Sequence, residues 1–211
     1  MKPLSKYFSV ELGNAFAATL PQSQKIIGSA PFNPQNPKYG VGGNTFRAYT
    51  GWLLSPSKTY RQWAEPICRA LDPSSLGTQL STAQGFQFWH SSLADSLQAH
   101  WIANQGRPLS FAHQHKLIDL FVKWLSRHEF PSSQLSQALV DHANCALDSQ
   151  TLSKLNECLS FALPISKPSM GDVHSGITYV FCQDLISDFA THFGGSRLLF
   201  DYFAWKAGGE G

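Results

Sequence analysis

Hydrophobic residues recur every three or four positions along most of the chain, which is the spacing of amphipathic helices. One such run extends from Phe86 to Ala103 and ends at NQGRP, where Gly106 and Pro108 are stop signals. In YRQWAEPICRAL the same spacing predicts a helix that Pro66 should kink or interrupt, and DPSSLGTQLS after it is predicted to be a loop. Further helices are predicted in SQLSQALVDHA, TLSKLNECLSFAL, ITYVFCQDLISDFATHF and LLFDYFAWKAG. The pattern predicts a mostly α protein that forms one compact unit.

The first part of the chain lacks this periodicity. Its stretch APFNPQNPKYGVGGNTF is dense in Pro, Gly and Asn, which break regular elements. We therefore predict an irregular, loop-rich, basic segment at residues 1–58 that packs on a helical core at residues 59–211. The glycines between Gly40 and Gly43 lack the Gly-Lys-Ser/Thr ending of a phosphate loop, so we expect them to let the backbone approach a ligand or another segment closely.

Charge is scarce and unevenly distributed. Charged residues make up 14% of the chain, against about 25% in typical soluble domains. Residues 1–70 contain eight Lys or Arg and two acids, a balance of +6, whereas residues 71–211 contain eight and twelve, a balance of −4. The basic first third is compatible with a surface for a polyanion such as nucleic acid, or with an ordinary solvated basic face.

Several classes of chemistry find little support. The four cysteines show no CxxC pair, so we expect reduced, mostly buried thiols in a cytoplasmic protein. His113 and His115 would point about 200° apart on a helix, so no metal site and no cofactor are expected. No GxSxG motif favours a serine hydrolase, and no apolar run approaches the length of a membrane span.

The stretch SFAHQHKLIDLFVKWLSRHEF carries a more specific pattern. Its apolar positions form one face, and a polar stripe on the opposite side consists of Lys116, Asp119, Lys123 and Arg127. Thirty-two residues after Lys116, the apolar lead HANCAL reaches Asp148, which stands where a helix N-cap belongs. Two interpretations are open: Lys116 and Asp148 form a catalytic couple, or Lys116 lies on a solvated stripe and Asp148 only caps a helix.

KLIDLFVKWL followed by ALDSQTL resembles the helix-hairpin-helix superfamily of DNA glycosylases, over roughly residues 100–205. Members carry a lysine on one helix, and an apolar dipeptide and an aspartate begin a later one. The spacing here is closest to the archaeal 8-oxoguanine branch. The resemblance implies Lys116 as nucleophile and Asp148 as stabilising acid, with Lys123 and Asp141 as alternatives. The chain departs from the family at GRPLSFAHQH, which has only Gly106 where a glycine-rich turn would grip phosphate.

The resemblance implies chemistry that suits these residue types. A carboxylate stabilises the positive charge that builds on deoxyribose as its bond to the base breaks. A neutral lysine can attack C1′ and form a Schiff base that permits strand cleavage. The target base must be flipped into a pocket, for which we expect Phe32, Asn33, Asn44, Phe46 and Trp52. Phosphate contacts are expected from Lys38, Arg47, Lys58, Arg61 and Lys123.

The sequence therefore predicts a monomeric, helix-hairpin-helix-like DNA glycosylase that acts on duplex DNA with a flipped base. The substrate is 8-oxoguanine by resemblance in a repair role, or another modified base. If that base is a hypermodified phage base, the protein serves in antiviral defence. Two rival predictions remain open: a non-catalytic DNA-binding or interaction protein on the same scaffold, and an all-helical hydrolase of small nucleosides, whose activity would depend little on salt.

Overall fold

A computed structural model describes residues 4–131, 133–165 and 167–206, and it is mostly helical, as the periodicity predicts. Its α-helices are α1 (Val10–Ile26), α2 (Pro56–Arg69), α3 (Pro73–Gln79), α4 (Ala83–Gln105), α5 (Phe111–Ser126), α6 (Ser133–His142), α7 (Ser149–Cys158), α8 (Gly176–His192) and α9 (Arg197–Lys206). Strands β1 (Ala30–Pro31) and β2 (His128–Glu129) pair in parallel. Short 3₁₀ helices lie at Leu4–Tyr7, Thr45–Ala48 and Met170–Asp172.

The prediction of an irregular segment is wrong for α1 and right for most of the stretch between α1 and α2. Leu12, Phe16 and Leu20 repeat every four residues and pack into the core, with Phe16 fully buried. Ser9 begins the helix, because its Oγ accepts a hydrogen bond from the backbone N–H of Leu12 at 3.3 Å. From residue 27 to residue 55 the chain is irregular except for β1 and one 3₁₀ turn.

Of the two predicted effects of Pro66, an interruption does not occur, because Pro66 lies within α2. One smaller prediction is corrected. DPSSLGTQLS is not wholly a loop, since it contains α3, where Asp72 accepts a hydrogen bond from the backbone N–H of Ser74 at 3.1 Å and Pro73 occupies the first turn. The stop signal after α4 is confirmed, because Gly106 takes a left-handed conformation with φ of 71°.

The core consists of two hydrophobic clusters with α5 between them. The first lies mainly among α2, α3, α4 and α6, and α5 contributes fully buried Leu117, Ile118 and Phe121 to it. The second lies among α1, α7, α8 and α9, and it includes Ala112 from the start of α5. The polar stripe of α5 is therefore partly covered, since the side chain of Asp119 is 1% exposed whereas Arg127 at the end of the helix is exposed.

Gly40 attaches the irregular segment to α5. Its φ is +80°, and a Cβ there would lie 2.3 Å from the Cβ of Trp124 and 2.6 Å from the carbonyl oxygen of Leu120. Next to it, the backbone carbonyl of Tyr39 accepts a hydrogen bond of 2.8 Å from the Tyr60 hydroxyl of α2. The close approach predicted for these glycines thus occurs at Gly40, against another segment of the chain.

Candidate active site

Lys116 and Asp148 meet in the structure. The Nζ of Lys116, on α5, lies 3.1 Å from Oδ2 of Asp148, at the start of α7. The two side chains keep only 12% and 7% of their exposure, so the pair is mostly withdrawn from water while a small part remains accessible. An ion pair in such surroundings interacts more strongly than one on an open surface. Residues 32 positions apart therefore form one partly buried charged couple.

The position of Asp148 is fixed by its role as N-cap of α7. Its Oδ1 accepts hydrogen bonds from the backbone N–H groups of Gln150 at 2.9 Å and Thr151 at 3.0 Å. The Thr151 hydroxyl in return accepts the backbone N–H of Asp148 at 2.7 Å, which completes a capping box. Because Oδ1 serves the cap, Oδ2 is the oxygen that faces Lys116. The two interpretations of Asp148 are therefore compatible, since it is both a cap and the partner of the lysine.

The segment that leads to Asp148 is non-helical and buried, and side chains satisfy its backbone. Gln183 on α8 accepts the N–H of Cys145 at 3.0 Å and donates to its carbonyl at 2.7 Å. Asp201 on α9 accepts the N–H of Ala146 at 2.7 Å. Buried backbone groups need such partners. Contacts from α8 and α9 thus fix the backbone that leads to Asp148, and the cap on α7 fixes its carboxylate.

Lys123 forms a second ionic couple. Its ammonium contacts the carboxylate of Asp201, which is fully buried, and lies 4.5 Å from the centre of the Tyr202 ring. Burial alone would lower the pKa of Lys123, but the adjacent Asp201 carboxylate outweighs it and raises the pKa above the usual value. Lys123 is therefore a charged, internally engaged residue, and this geometry supports neither a nucleophilic role nor the predicted phosphate contact. The other alternative, Asp141, is exposed on α6 and accepts a hydrogen bond from Gln137 at 2.9 Å.

A third polar group along α5 is centred on Asp119, and its partners were not predicted from the sequence. The Tyr179 hydroxyl donates its one proton to the carboxylate of Asp119 and lies 2.9 Å from Oδ2 and 3.0 Å from Oδ1, and Oδ1 also lies 2.8 Å from Nε2 of His90. His90 and Tyr179 line a cavity of about 320 Å³, together with His115. Burial lowers the pKa of His115, against the opposing effect of Asp119. These partners come from α4, α5 and α8, so no local pattern could have revealed them.

The predicted base-pocket residues lie in the irregular segment, but their rings are used in packing. Phe32 packs against Trp124, His128 and Phe130; Phe46 packs against Tyr49 and Tyr60; Trp52 packs against Trp101 and lies under the guanidinium of Arg107. Asn33 and Asn44 are exposed, and Asn33 accepts a hydrogen bond from the backbone N–H of Gln35 at 2.9 Å. None of the five lines the cavity between α4, α5 and α8. The structure does not bring them together with Lys116 and Asp148.

The other predicted phosphate contacts are on the surface. Lys38, Arg47, Lys58 and Arg61 are all exposed, and among them Arg61 donates from Nε to the carbonyl of Ser57 at 3.0 Å. Their positions leave the cationic groups of this stretch accessible to a polyanion. Among all the residues that the structure describes, no three His, Cys, Asp or Glu side chains are placed to hold a metal ion. No helix in the same residues has the length and apolar character needed to cross a membrane.

Comparisons of the chain with protein-family models, with curated proteins and with solved structures find no match.

Proposed function

We propose that this protein is a DNA glycosylase related to the helix-hairpin-helix enzymes, with Asp148 and Lys116 as its catalytic residues. The observation that supports the proposal is the 3.1 Å contact between Lys116 Nζ and Asp148 Oδ2, in a mostly buried site at the start of a helix. The resemblance in sequence implied a lysine and an aspartate acting together, and a pair with the required types and proximity is present. The proposed substrate is a modified base in duplex DNA.

Asp148 has the position that the electrostatic part of the reaction needs. Positive charge develops on the deoxyribose ring as the bond between C1′ and the base breaks, and a fixed negative charge nearby lowers the energy of that state. Oδ1 is held by two backbone N–H groups, so the carboxylate does not have to be reorganised during the reaction. Oδ2 remains directed at Lys116, the only side-chain cation within ion-pair distance of it among the described residues.

Lys116 has two roles open to it in such a site. As nucleophile, it must first lose a proton, and Asp148 Oδ2 is close enough to accept it. The Nζ then bonds to C1′ while the bond from C1′ to the base breaks, the electrons of that bond leave with the base, and the proton held by Asp148 passes to the departing base, which restores the negative charge of the carboxylate. In an enzyme that only removes bases, Asp148 would instead activate water, and Lys116 would contact phosphate or the base.

DNA binding is assigned to four exposed cations, two in the irregular segment and two at the start of α2. Lys38 and Arg47 lie between α1 and α2, Lys58 and Arg61 lie in the first turns of α2, and all four fall within 24 positions of the chain. Contacts of this kind position a duplex without reading its sequence, and they weaken as salt rises. Since Lys123 is engaged with Asp201, it is not included in this surface.

The test is base release and borohydride trapping on a panel of duplexes, each with one modified base, with phage-modified DNA included. Lys116→Gln and Asp148→Asn are compared with Lys154→Gln, which removes a lysine of similar exposure that pairs with Glu157. Asp148→Asn is the informative change, because asparagine is also a good N-cap and keeps α7 intact. Release by the native protein and by Lys154→Gln, with loss in Asp148→Asn, is the expected result. Trapping that disappears in Lys116→Gln would assign the Schiff base to that residue.

One rival is distinguished by the same experiment. A non-catalytic DNA-binding protein would release no base from any duplex, and Asp148→Asn would leave its DNA affinity unchanged. The nucleoside hydrolase would act on free nucleosides with little dependence on salt.

A further inference from the structure

We propose that the cavity between α4, α5 and α8 is a binding site for a small, uncharged, planar heterocycle of the nucleobase type, free rather than in DNA. Neither Lys116 nor Asp148 lines this cavity, and the proposal does not depend on the proposed glycosylase activity. The cavity has a volume of about 320 Å³ and is lined by Phe86, His90, Phe111, His115, Tyr179 and Arg197, among others. That volume is near the lower end for ligand pockets, so one ring system with few substituents fits it best.

Asp119 lies behind the cavity lining and contacts two residues of that lining, His90 and Tyr179. Its carboxylate, 1% exposed, accepts from the hydroxyl of Tyr179 and faces Nε2 of His90 at 2.8 Å. We take the His90 ring as neutral, with its proton on Nε2 facing the Asp119 carboxylate, and in that form Nδ1 is a hydrogen-bond acceptor. Nδ1 makes no hydrogen bond with the residues that the structure describes, while His90 lines the cavity. A ligand in this cavity is therefore expected to present an N–H group to His90.

The opposite hydrogen-bonding character comes from Arg197 at the start of α9. Its Nη2 donates one hydrogen bond to the backbone carbonyl oxygen of His142, at 2.7 Å. A guanidinium carries five N–H donors, and no other bond to a described residue uses them. These donors suit a carbonyl oxygen or a ring nitrogen. Together with His90 they select a ligand edge that has both a donor and an acceptor, as the edges of purines and pyrimidines have.

The walls favour a flat aromatic ring. Phe111 and His115 stack on each other with ring centres 3.9 Å apart and planes 16° apart, and His115 lies 4.8 Å from the ring of Tyr179. Phe86 packs against His90 at 5.7 Å. Aromatic side chains of this kind bind planar heterocycles by offset stacking and edge contacts. The aromatic side chains in the lining are thus compatible with the hydrogen-bonding pattern.

The charges on the lining favour a neutral ligand over an anion. Arg197 and Asp184 both line the cavity and carry opposite formal charges. Asp119 lies behind the lining and is already engaged with two partners. Because the formal charges of Arg197 and Asp184 are opposite, an anion such as inorganic phosphate gains little from entering, whereas a neutral base avoids the cost of burying a charge.

The cavity is tested by calorimetric titration of the whole protein with hypoxanthine, adenine and uracil. Caffeine, which has no ring N–H, and inorganic phosphate serve as comparison ligands. Val180 lines the mouth and is 49% exposed, so Val180→Trp should obstruct entry without disturbing the core. Phe181→Trp is the matched control, because Phe181 is similarly exposed on the next position of α8 but is not part of the lining.

At least one of the three bases is expected to bind, at least about tenfold more tightly than caffeine or phosphate, because the N–H donor and the neutral ring are both recognised. Val180→Trp is expected to weaken that binding by about tenfold or more, and Phe181→Trp to leave it within about twofold. No binding by any base, equal binding of caffeine or phosphate, or equal binding by Val180→Trp would overturn the proposal.

The two proposals fail independently. Asp148→Asn and Lys116→Gln should retain binding of the free base, since neither residue lines the cavity. If the protein binds a free base but releases no base from DNA, the proposed glycosylase activity is overturned and the proposed cavity site stands. If it releases a base from DNA but binds no free base, the cavity site is overturned and the glycosylase activity stands.

Discussion

Replacing Asp148 separates its contribution as a helix cap from its contribution as the partner of Lys116. Asp148→Asn keeps an oxygen that can accept from Gln150 and Thr151, but it leaves the Lys116 ammonium without a counter-charge in a site where that side chain is 12% exposed. Removing one partner of a buried ion pair costs about 3–5 kcal/mol. The long lysine side chain can shift its ammonium towards water, so we expect a loss of about 2–3 kcal/mol in the free energy of unfolding.

Asp148→Ala removes the cap as well and should cost about 1 kcal/mol more than Asp148→Asn. Lys116→Met removes the charge that Asp148→Asn leaves unpaired. In the double variant, the two effects should therefore fall short of additivity by about 2 kcal/mol. Urea unfolding at pH 7, followed by circular dichroism, measures the native protein and each variant, and equal denaturant slopes confirm that the folded states are comparable.

An additive double variant, or a loss below about 0.5 kcal/mol in Asp148→Asn, would refute the reasoning. Either result would mean that Lys116 is solvated in solution and that Asp148 is a cap alone.

Three further predictions concern stability and reactivity. Gly40→Ala should lower the free energy of unfolding by about 2–4 kcal/mol, because the left-handed backbone and the 2.3 Å approach to Trp124 both disfavour a Cβ. Gly42→Ala is the control and should change the stability little, because a Cβ there would lie in open space. Equal urea midpoints for the two variants would contradict the packing of Gly40. Burial lowers the pKa of His113 and His115, so the unfolded chain binds more protons than the folded one as the pH falls below about 6.5. The free energy of unfolding should therefore be highest above that pH and should decrease as acid is added. A free energy of unfolding that stays constant or increases from pH 7.5 to pH 5 would contradict this. Burial raises the pKa of all four thiols, to about 12 for Cys68 and Cys158. Iodoacetamide at pH 8 should therefore label the native protein far more slowly than the urea-unfolded protein. Rapid labelling of the native protein would contradict the burial of the cysteines.

Local chemistry made much of the helical framework predictable. Gly106 ends α4 and Asp148 caps α7 as expected, because capping depends on residues within one turn of each other. The buried state of the cysteines was also predicted and is confirmed. The first helix was missed although Leu12, Phe16 and Leu20 already had helical spacing, since the Pro- and Gly-rich stretch after it dominated the composition of the segment.

The surroundings of the polar stripe could not be predicted in the same way. Asp119 is buried because His90 and Tyr179, 29 and 60 positions away, supply its partners, and Lys123 is engaged by Asp201, 78 positions away. A helical period shows which residues share a face, but it does not show which other helices cover that face. For the same reason the Lys116–Asp148 contact was one of two interpretations until the fold placed α5 against the start of α7.

The most direct test of the proposed function is the single-turnover rate of base release by the native protein and by Asp148→Asn, on the panel of modified duplexes. The account predicts release of at least one modified base by the native protein and a rate at least about 100-fold lower in Asp148→Asn, with circular dichroism showing the same helical content in both. Release that is absent from every duplex, or unchanged in Asp148→Asn, would contradict the assignment of Asp148 as the catalytic carboxylate.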